Sequence, residues 1–219
     1  MYAGTVTPGG PSDVRELEAL TIRKCSVSSM DNNAYLLTCK ATGAQLLLDA
    51  ADDAPRLMQL VAEGTGSLDV VVTTHQHWDH VRALKELVAA TGASTASGAE
   101  DADALPVPVD TRLGQGDHVR FGDVTLDVVL LRGHTPGSVA LAYPDPAGHS
   151  HLWTGDALFP GGVGGTSGDG QSFESLLADV TERVFDVYDD ATWVYPGHGP
   201  DTTLGVERPH LDEWRARGW

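Results

Sequence analysis

Apolar residues in this chain come in short runs closed by glycine or polar turns, and the runs follow two periods. LTIRKCSVSS (20–29) has strand character, and NAYLLTCKATGAQLLLDA (33–50) reads as two strands around the turn ATGA. LDVVVTT (68–74) is a short continuous apolar run, the mark of a buried strand. Two stretches switch to helical spacing. APRLMQLVAEGTG (54–66) places Leu57, Leu60 and Val61 on one face, and HVRALKELVAATG (80–92) does so with Val81, Leu84, Leu87 and Val88; both stop at glycine. ASTASGAEDADALPVPVD (93–110) reads as a strand, a polar turn and a connection. DHVRFGDVTLDVVLL (117–131) predicts two strands around Phe121-Gly122-Asp123, and SVALAYP (138–144) and HLWTGD (151–156) predict two more across the turn DPAGHS. Residues 172–188 predict a helix with Ser172 as its N-cap, 191–199 a strand running into a glycine turn, and the tail VERPHLDEWRARGW a last short helix.

Strands dominate and helices are interspersed, with no visible repeat and no low-complexity linker. The expected class is α/β, with sheets covered by helices. Residues 1–18, rich in Gly, Pro and Thr at first, are expected to form a flexible arm, and residues 19–219 a single domain large enough for its own core.

Composition narrows the function. The formal net charge of −17 argues against nucleic acid, whose binding needs a basic face. The acids are scattered, so most read as solvated surface, and bound divalent cations would offset a few. No apolar run approaches the ~20 residues of a bilayer span. The N-terminus lacks a basic start followed by an apolar stretch, so cytoplasmic residence is the expectation. Cys25 and Cys39 fall inside strands without C-x-x-C spacing and read as buried free thiols. A small-molecule substrate, with neither nucleic acid nor membrane as partner, fits this balance.

The chemistry concentrates in TTHQHWDH, Thr73 to His80, where three histidines and an aspartate fall within six residues. Imidazole and carboxylate are ligands of zinc-type divalent metals. His75 and His77 share a face if the chain stays extended, whereas Asp79 and His80 open the next segment and need not serve the same metal. The spacing suggests two neighbouring metal positions fed by one loop. His134 in RGHTPGS, Asp156 in LWTGDALF and His198 in VYPGHGP repeat one layout, a strand followed by a ligand-type residue in a tight turn. Strand-end loops converge on one sheet edge, which would bring five histidines and two aspartates to one cleft.

HQHWDH followed by GHTPGS, TGDALF and YPGHG resembles the metallo-β-lactamase fold superfamily, in order and spacing, across residues 75–198. GDALFPGGVGGT (155–166) and PGHGPDTTLGVER (196–208) look most like its compact glyoxalase II-like branch. The resemblance implies a four-layer αβ/βα sandwich with two divalent metal ions, zinc before iron or manganese, at one edge. It implies that His75, His77 and His134 hold one metal, that Asp79, His80 and His198 hold the other, and that Asp156 bridges them. A shared hydroxide would attack a thioester or ester, with Asp79 orienting it or moving its proton. Alternatives within the superfamily are a mononuclear iron persulfide dioxygenase, using His75, His134 and Asp156, and a lactonase; a role in which metals only staple the fold is disfavoured by the chain's size.

Departures from the glyoxalase II pattern touch the substrate. The chain stops 21 residues after His198, short of the helical region that helps bind glutathione. Gly199-Pro200-Asp201 stands where Glu-Tyr-Thr is usual, Gly164-Gly165-Thr166 where Gly-Arg follows the bridging aspartate, and Arg82-Ala83 where a double glycine follows the Asp-His pair. Asn32, Asn33 and Tyr35 resemble a stretch near the family's active site, although turn and strand roles explain them equally. Trp78 is expected to pack beside the metal loop, Tyr195 to sit in strand core, and Gly161–Gly165 to form a flexible cleft wall. His118, His149, His151 and His210 are expected at the surface.

Overall fold

Alternation along the strands decides which layer each side chain enters. The structure, a computed structural model, describes residues 2–218. A first sheet runs in spatial order through β1 (Asp13–Glu16), β2 (Leu20–Val27), β3 (Asn32–Cys39), β4 (Gln45–Leu48), β5 (Val70–Thr73), β6 (Ser94–Gly98) and β7 (Thr111–Leu113). Pairing is antiparallel up to β4 and parallel from β4 to β7. The parallel part is joined through α1 (Ala54–Glu63) and α2 (Leu84–Thr91).

The second sheet holds β8 (His118–Phe121), β9 (Val124–Leu130), β10 (Val139–Pro144) and β11 (Ser150–Gly155) as an antiparallel meander. A two-stranded ribbon, β12 (Leu158–Phe159) with β13 (Gly162–Val163), and helix α3 (Phe173–Val180) follow. β14 (Trp193–Pro196) then returns parallel to β11, and β15 (Thr202–Thr203) closes the edge. The short helices α4 (Leu204–Glu207) and α5 (Leu211–Arg217) end the described chain.

Leu37, Leu48, Val72, Leu126, Leu141 and Trp153 fill the interior between the sheets. Their neighbours Leu36, Leu47 and Val71 point the other way, onto Leu57, Leu60, Leu84 and Leu87 of α1 and α2. Ala140, Leu152 and Val194 likewise meet Leu176, Val180 and Trp214 of α3 and α5. The result is the expected four-layer αβ/βα sandwich. No helix among the described residues is long and apolar enough to cross a membrane.

Several expectations are corrected. The described part of the expected arm, residues 2–18, is tied down rather than loose: Asp13–Glu16 add an edge strand to β2, Tyr2 Oη donates to Asp201 Oδ2 at 2.6 Å, and Lys24 Nζ donates to Gly4 O at 2.9 Å. The helix expected at 80–92 begins at Leu84, because Trp78–His80 form a separate 3₁₀ turn. His151 is not at the surface. It is fully buried beneath Arg15 and His149, with Nδ1 2.9 Å from Tyr195 Oη. His118 and His210 are exposed and His149 is half-buried. Cys25 and Cys39 are buried free thiols, and Tyr195 lies in the core.

Candidate metal centre

β4, β5 and β6 run in one direction, and so do β9, β11 and β14, so the carboxyl ends of each set open at a common edge. The turns after these strands carry the candidate ligands. His75 and His77 follow β5, and the 3₁₀ turn Trp78–His80 then delivers Asp79 and His80. His134 follows β9, Asp156 follows β11 and His198 follows β14.

All seven side chains meet. His75, His77 and His134 form one group and Asp79, His80 and His198 another, each with ligand atoms within 4.8 Å of one another. A third grouping, His75 with His80 and Asp156, cuts across these two and shows how close they are. Asp156 lies at their junction: Oδ1 is 3.3 Å from His80 Nε2, while Oδ2 is 3.5 Å from His198 Nε2 and 3.7 Å from His134 Nε2.

The tautomers are set from behind. A carboxylate or carbonyl oxygen only accepts, so a ring nitrogen facing one must carry the proton. His80 Nδ1 donates to Asp49 Oδ2 at 2.9 Å, His134 Nδ1 to Gly165 O at 2.7 Å and His198 Nδ1 to Met30 O at 2.8 Å. Thr74 Oγ1 donates to Asp49 Oδ2 at 2.8 Å and so accepts from His75 Nδ1 at 3.1 Å. In the neutral form of each of these four rings Nε2 is the lone-pair nitrogen. His75 Nε2, His134 Nε2 and Asp156 Oδ1 are buried without a hydrogen-bond partner. Orphaned acceptors among converging imidazoles are costly unless a cation occupies the space between them. The donor set therefore fits divalent metal ions, and the chain carries a metal-binding site of histidine and aspartate.

Electrostatics agree. Burial, reinforced by His80, holds His75 well below the usual imidazole range, and burial with His134 lowers His77. Burial opposes protonation of His80 too, but Asp156 and Asp49 outweigh it and hold that ring well above its ordinary value. His198 is raised against burial by its bond to Asp156. Asp156 is driven well below the carboxylate range because His80 and His198 outweigh its desolvation. A cation bound here takes over the compensation that protons otherwise provide.

Glycine is required at 197. A Cβ there would stand 2.1 Å from Asp156 Oδ1 and 2.9 Å from His80 Cε1. The stretch around Asn32 proves to be part of the site's support. Asn32 Nδ2 donates to Asp79 Oδ2 at 3.0 Å, Asn33 Nδ2 to Pro196 O and Gly199 O at 2.9 Å each, and Tyr35 Oη to Pro196 O at 2.7 Å. The Gly161–Gly165 segment is less free than expected: Gly162 lies in β13 and Gly165 holds His134. Trp78 projects into solvent, 60 % exposed, with the Arg82 guanidinium 4.4 Å from its ring centroid. Asp201 is no substrate contact: its side chain is 1 % exposed, paired with the fully buried Lys24 at 2.6 Å. Sequence reasoning missed Asp49 and Asp101. Asp49 carries the same signal as Asp156, an acid straight after a buried strand run, here QLLL. It also holds a left-handed φ of 58°, a strained conformation of the kind met at functional sites.

The chain is similar to several known proteins. The model of the metallo-beta-lactamase superfamily matches residues 30–198. The hydroxyacylglutathione hydrolase of Fuscovulum blasticum is 41% identical over 134 residues, covering 61% of this chain and 51% of that protein. The chain spans about half the length of the first curated relatives it matches. Among solved structures, ETHE1 from Myxococcus xanthus superposes with a TM-score of 0.79 at 28% identity, over 89% of this chain and 84% of that one. TTHA1623 in a di-iron-bound form superposes with a TM-score of 0.71 at 33% identity, over 84% and 95%.

Proposed function

This chain belongs to the metallo-β-lactamase superfamily, and on that footing we propose that it is a dinuclear metal-dependent hydrolase of small thioesters or esters, with a hydroxyacyl thioester of a thiol such as glutathione as the leading substrate class. One observation carries the reading: two complete ligand triads lie side by side with Asp156 at their junction, and buried nitrogen and oxygen atoms aimed between them lack partners. The names of the curated relatives support the substrate class.

His75, His77 and His134 would hold one ion, and Asp79, His80 and His198 the other, with zinc the leading candidate. Bound divalent ions supply Lewis acidity and make hydroxide available near neutral pH. The chain's own residues set the rest. Asp156, with Oδ1 facing His80 and Oδ2 between His198 and His134, would offset two close positive charges. Asp79, held through Oδ2 by Asn32, keeps a carboxylate at the cleft to accept and pass a proton. The lone pairs of four Nε2 atoms are pre-aimed by Asp49, Thr74, Gly165 and Met30, so little reorganisation accompanies loading. A single iron on His75, His134 and Asp156, as in a persulfide dioxygenase, would leave Asp79, His80 and His198 without an occupant, although His80 Nε2 and His198 Nε2 lie 3.2 Å apart.

Metal analysis of the purified full chain, with assays on thioesters, lactones and persulfides, tests the reading. The expected result is about two equivalents of metal and thioester hydrolysis that Asp156→Ala abolishes in a protein that still folds. A fully active Asp156→Ala enzyme sinks the mechanism. One iron with thiol-dependent oxygen uptake selects the dioxygenase.

A further inference from the structure

Asp101 lies just beyond β6 and is completely buried. Its carboxylate binds backbone and hydroxyl donors on two separate turns. Oδ2 accepts from Gln76 N at 2.9 Å and from Thr135 Oγ1 at 2.6 Å, and Oδ1 accepts from Gly137 N at 2.7 Å. Gln76 sits between His75 and His77, while Thr135 and Gly137 immediately follow His134. One side chain thus spans the two turns that deliver the three-histidine triad.

The fit around it is tight. A Cβ on Gly137 would lie 2.5 Å from Asp101 N and 2.8 Å from Asp101 Oδ1. A Cβ on Gly98 would lie 1.8 Å from Gly137 O. The end of β6 and the turn after His134 therefore interlock at backbone distance, and hydrogen bonds to an ionised acceptor are among the stronger kind. The other triad hangs from different supports. Asp49 holds His80, Asn32 holds Asp79, and Asn33 with Met30 holds the His198 turn.

We propose that Asp101 is a positioning residue for the three-histidine metal site: it sets the gap between the 75–77 and 134–137 turns and thereby tunes metal affinity at that site alone. Replacing the carboxylate by an amide puts an N–H against at least one of three donors, which loosens one turn from the other. Loss of an outer support of this kind typically weakens metal binding by about 10- to 100-fold.

The proposal rests on the two-metal reading, and one experiment separates their failures. The full chain is loaded with Co(II) and titrated with a chelator of known affinity while the ligand-field absorption is followed. His134→Ala and His198→Ala identify which release step belongs to which triad. Asp101→Asn is expected to shift the step missing in His134→Ala by about 10- to 100-fold towards easier release, and to leave the step missing in His198→Ala in place. Thr135→Val, which removes one donor, shifts the same step by less. Equal shifts in both steps, a shift only in the His198 step, or no shift overturns the proposal. A single step in the wild type retires the two-metal reading; Asp101 then keeps its role only if that step is lost in His134→Ala and weakened in Asp101→Asn. Should Asp101→Asn fail to fold, Thr135→Val decides by the same criteria.

Discussion

Four imidazoles in the cleft make the same choice at Nδ1, and they find three kinds of oxygen there: a hydroxyl, a carboxylate and two carbonyls. The residues that meet in the cleft were legible in the sequence because each stands in a tight turn after a strand. Their supports were less so. Asp49 and Asp101 act across gaps of 31 and 36 residues, on His80 and Gly137, and such partners emerge only once the strands are laid side by side. His151 shows the same blindness in reverse. Beside the polar turn DPAGHS it reads as surface, yet alternation along β11 puts it on the interior face with Trp153. Burial, then Arg15 and His149, push its pKa down from 6.5 to about 3. The folded ring stays neutral while the unfolded chain takes a proton near pH 6.5. Stability therefore falls as pH drops below 6.5 and goes on falling to about 3. His151→Gln removes that proton uptake, so urea midpoints measured from pH 7 down to 4 should decline less steeply in the variant. Parallel slopes for the two proteins would contradict this.

At the level of elements, continuous or alternating apolar runs located β2 to β6 and β8 to β11, together with β14. Among the described residues five strands escaped notice: the two-residue β12, β13 and β15, too short to leave a pattern, and also β1, DVRE, and β7, TRL. The last two are short, polar edge strands, which need no apolar pattern because one side meets solvent. The helix expected over 172–188 begins as foreseen, with Ser172 accepting from Ser175 N at 3.2 Å, but its α-helical part stops at Val180 and a π-turn over Thr181–Phe185 follows. That cap also touches the site, since Ser172 N donates to Gly133 O at 2.9 Å, beside His134. Ser172→Ala keeps the backbone bond and loses the side-chain cap, which should cost about 1 kcal/mol of stability. Chemical denaturation measures this, with metal content expected to stay unchanged.

On the scale of the whole molecule, two covered sheets present turns from both halves of the chain to a single edge, and the order of those turns was readable from residue 75 to 198. What covers the amino-terminal side was not: Tyr2, Gly4, Lys24 and Asp201 close together beneath the His198 turn. Lys24 Nζ donates to Gly199 O at 2.7 Å as well, so its ammonium has three oxygen partners and no exposure. Lys40 and Lys85, the other two lysines of the chain, are exposed. The protein thus contains its own reporter for covalent footprinting. An amine-selective acylating reagent in brief exposure should tag Lys40 and Lys85, while the peptide bearing Lys24 stays unmodified by mass spectrometry. Mass added to that peptide would register the opening of β2 against the His198 turn, residue by residue, without any engineered probe.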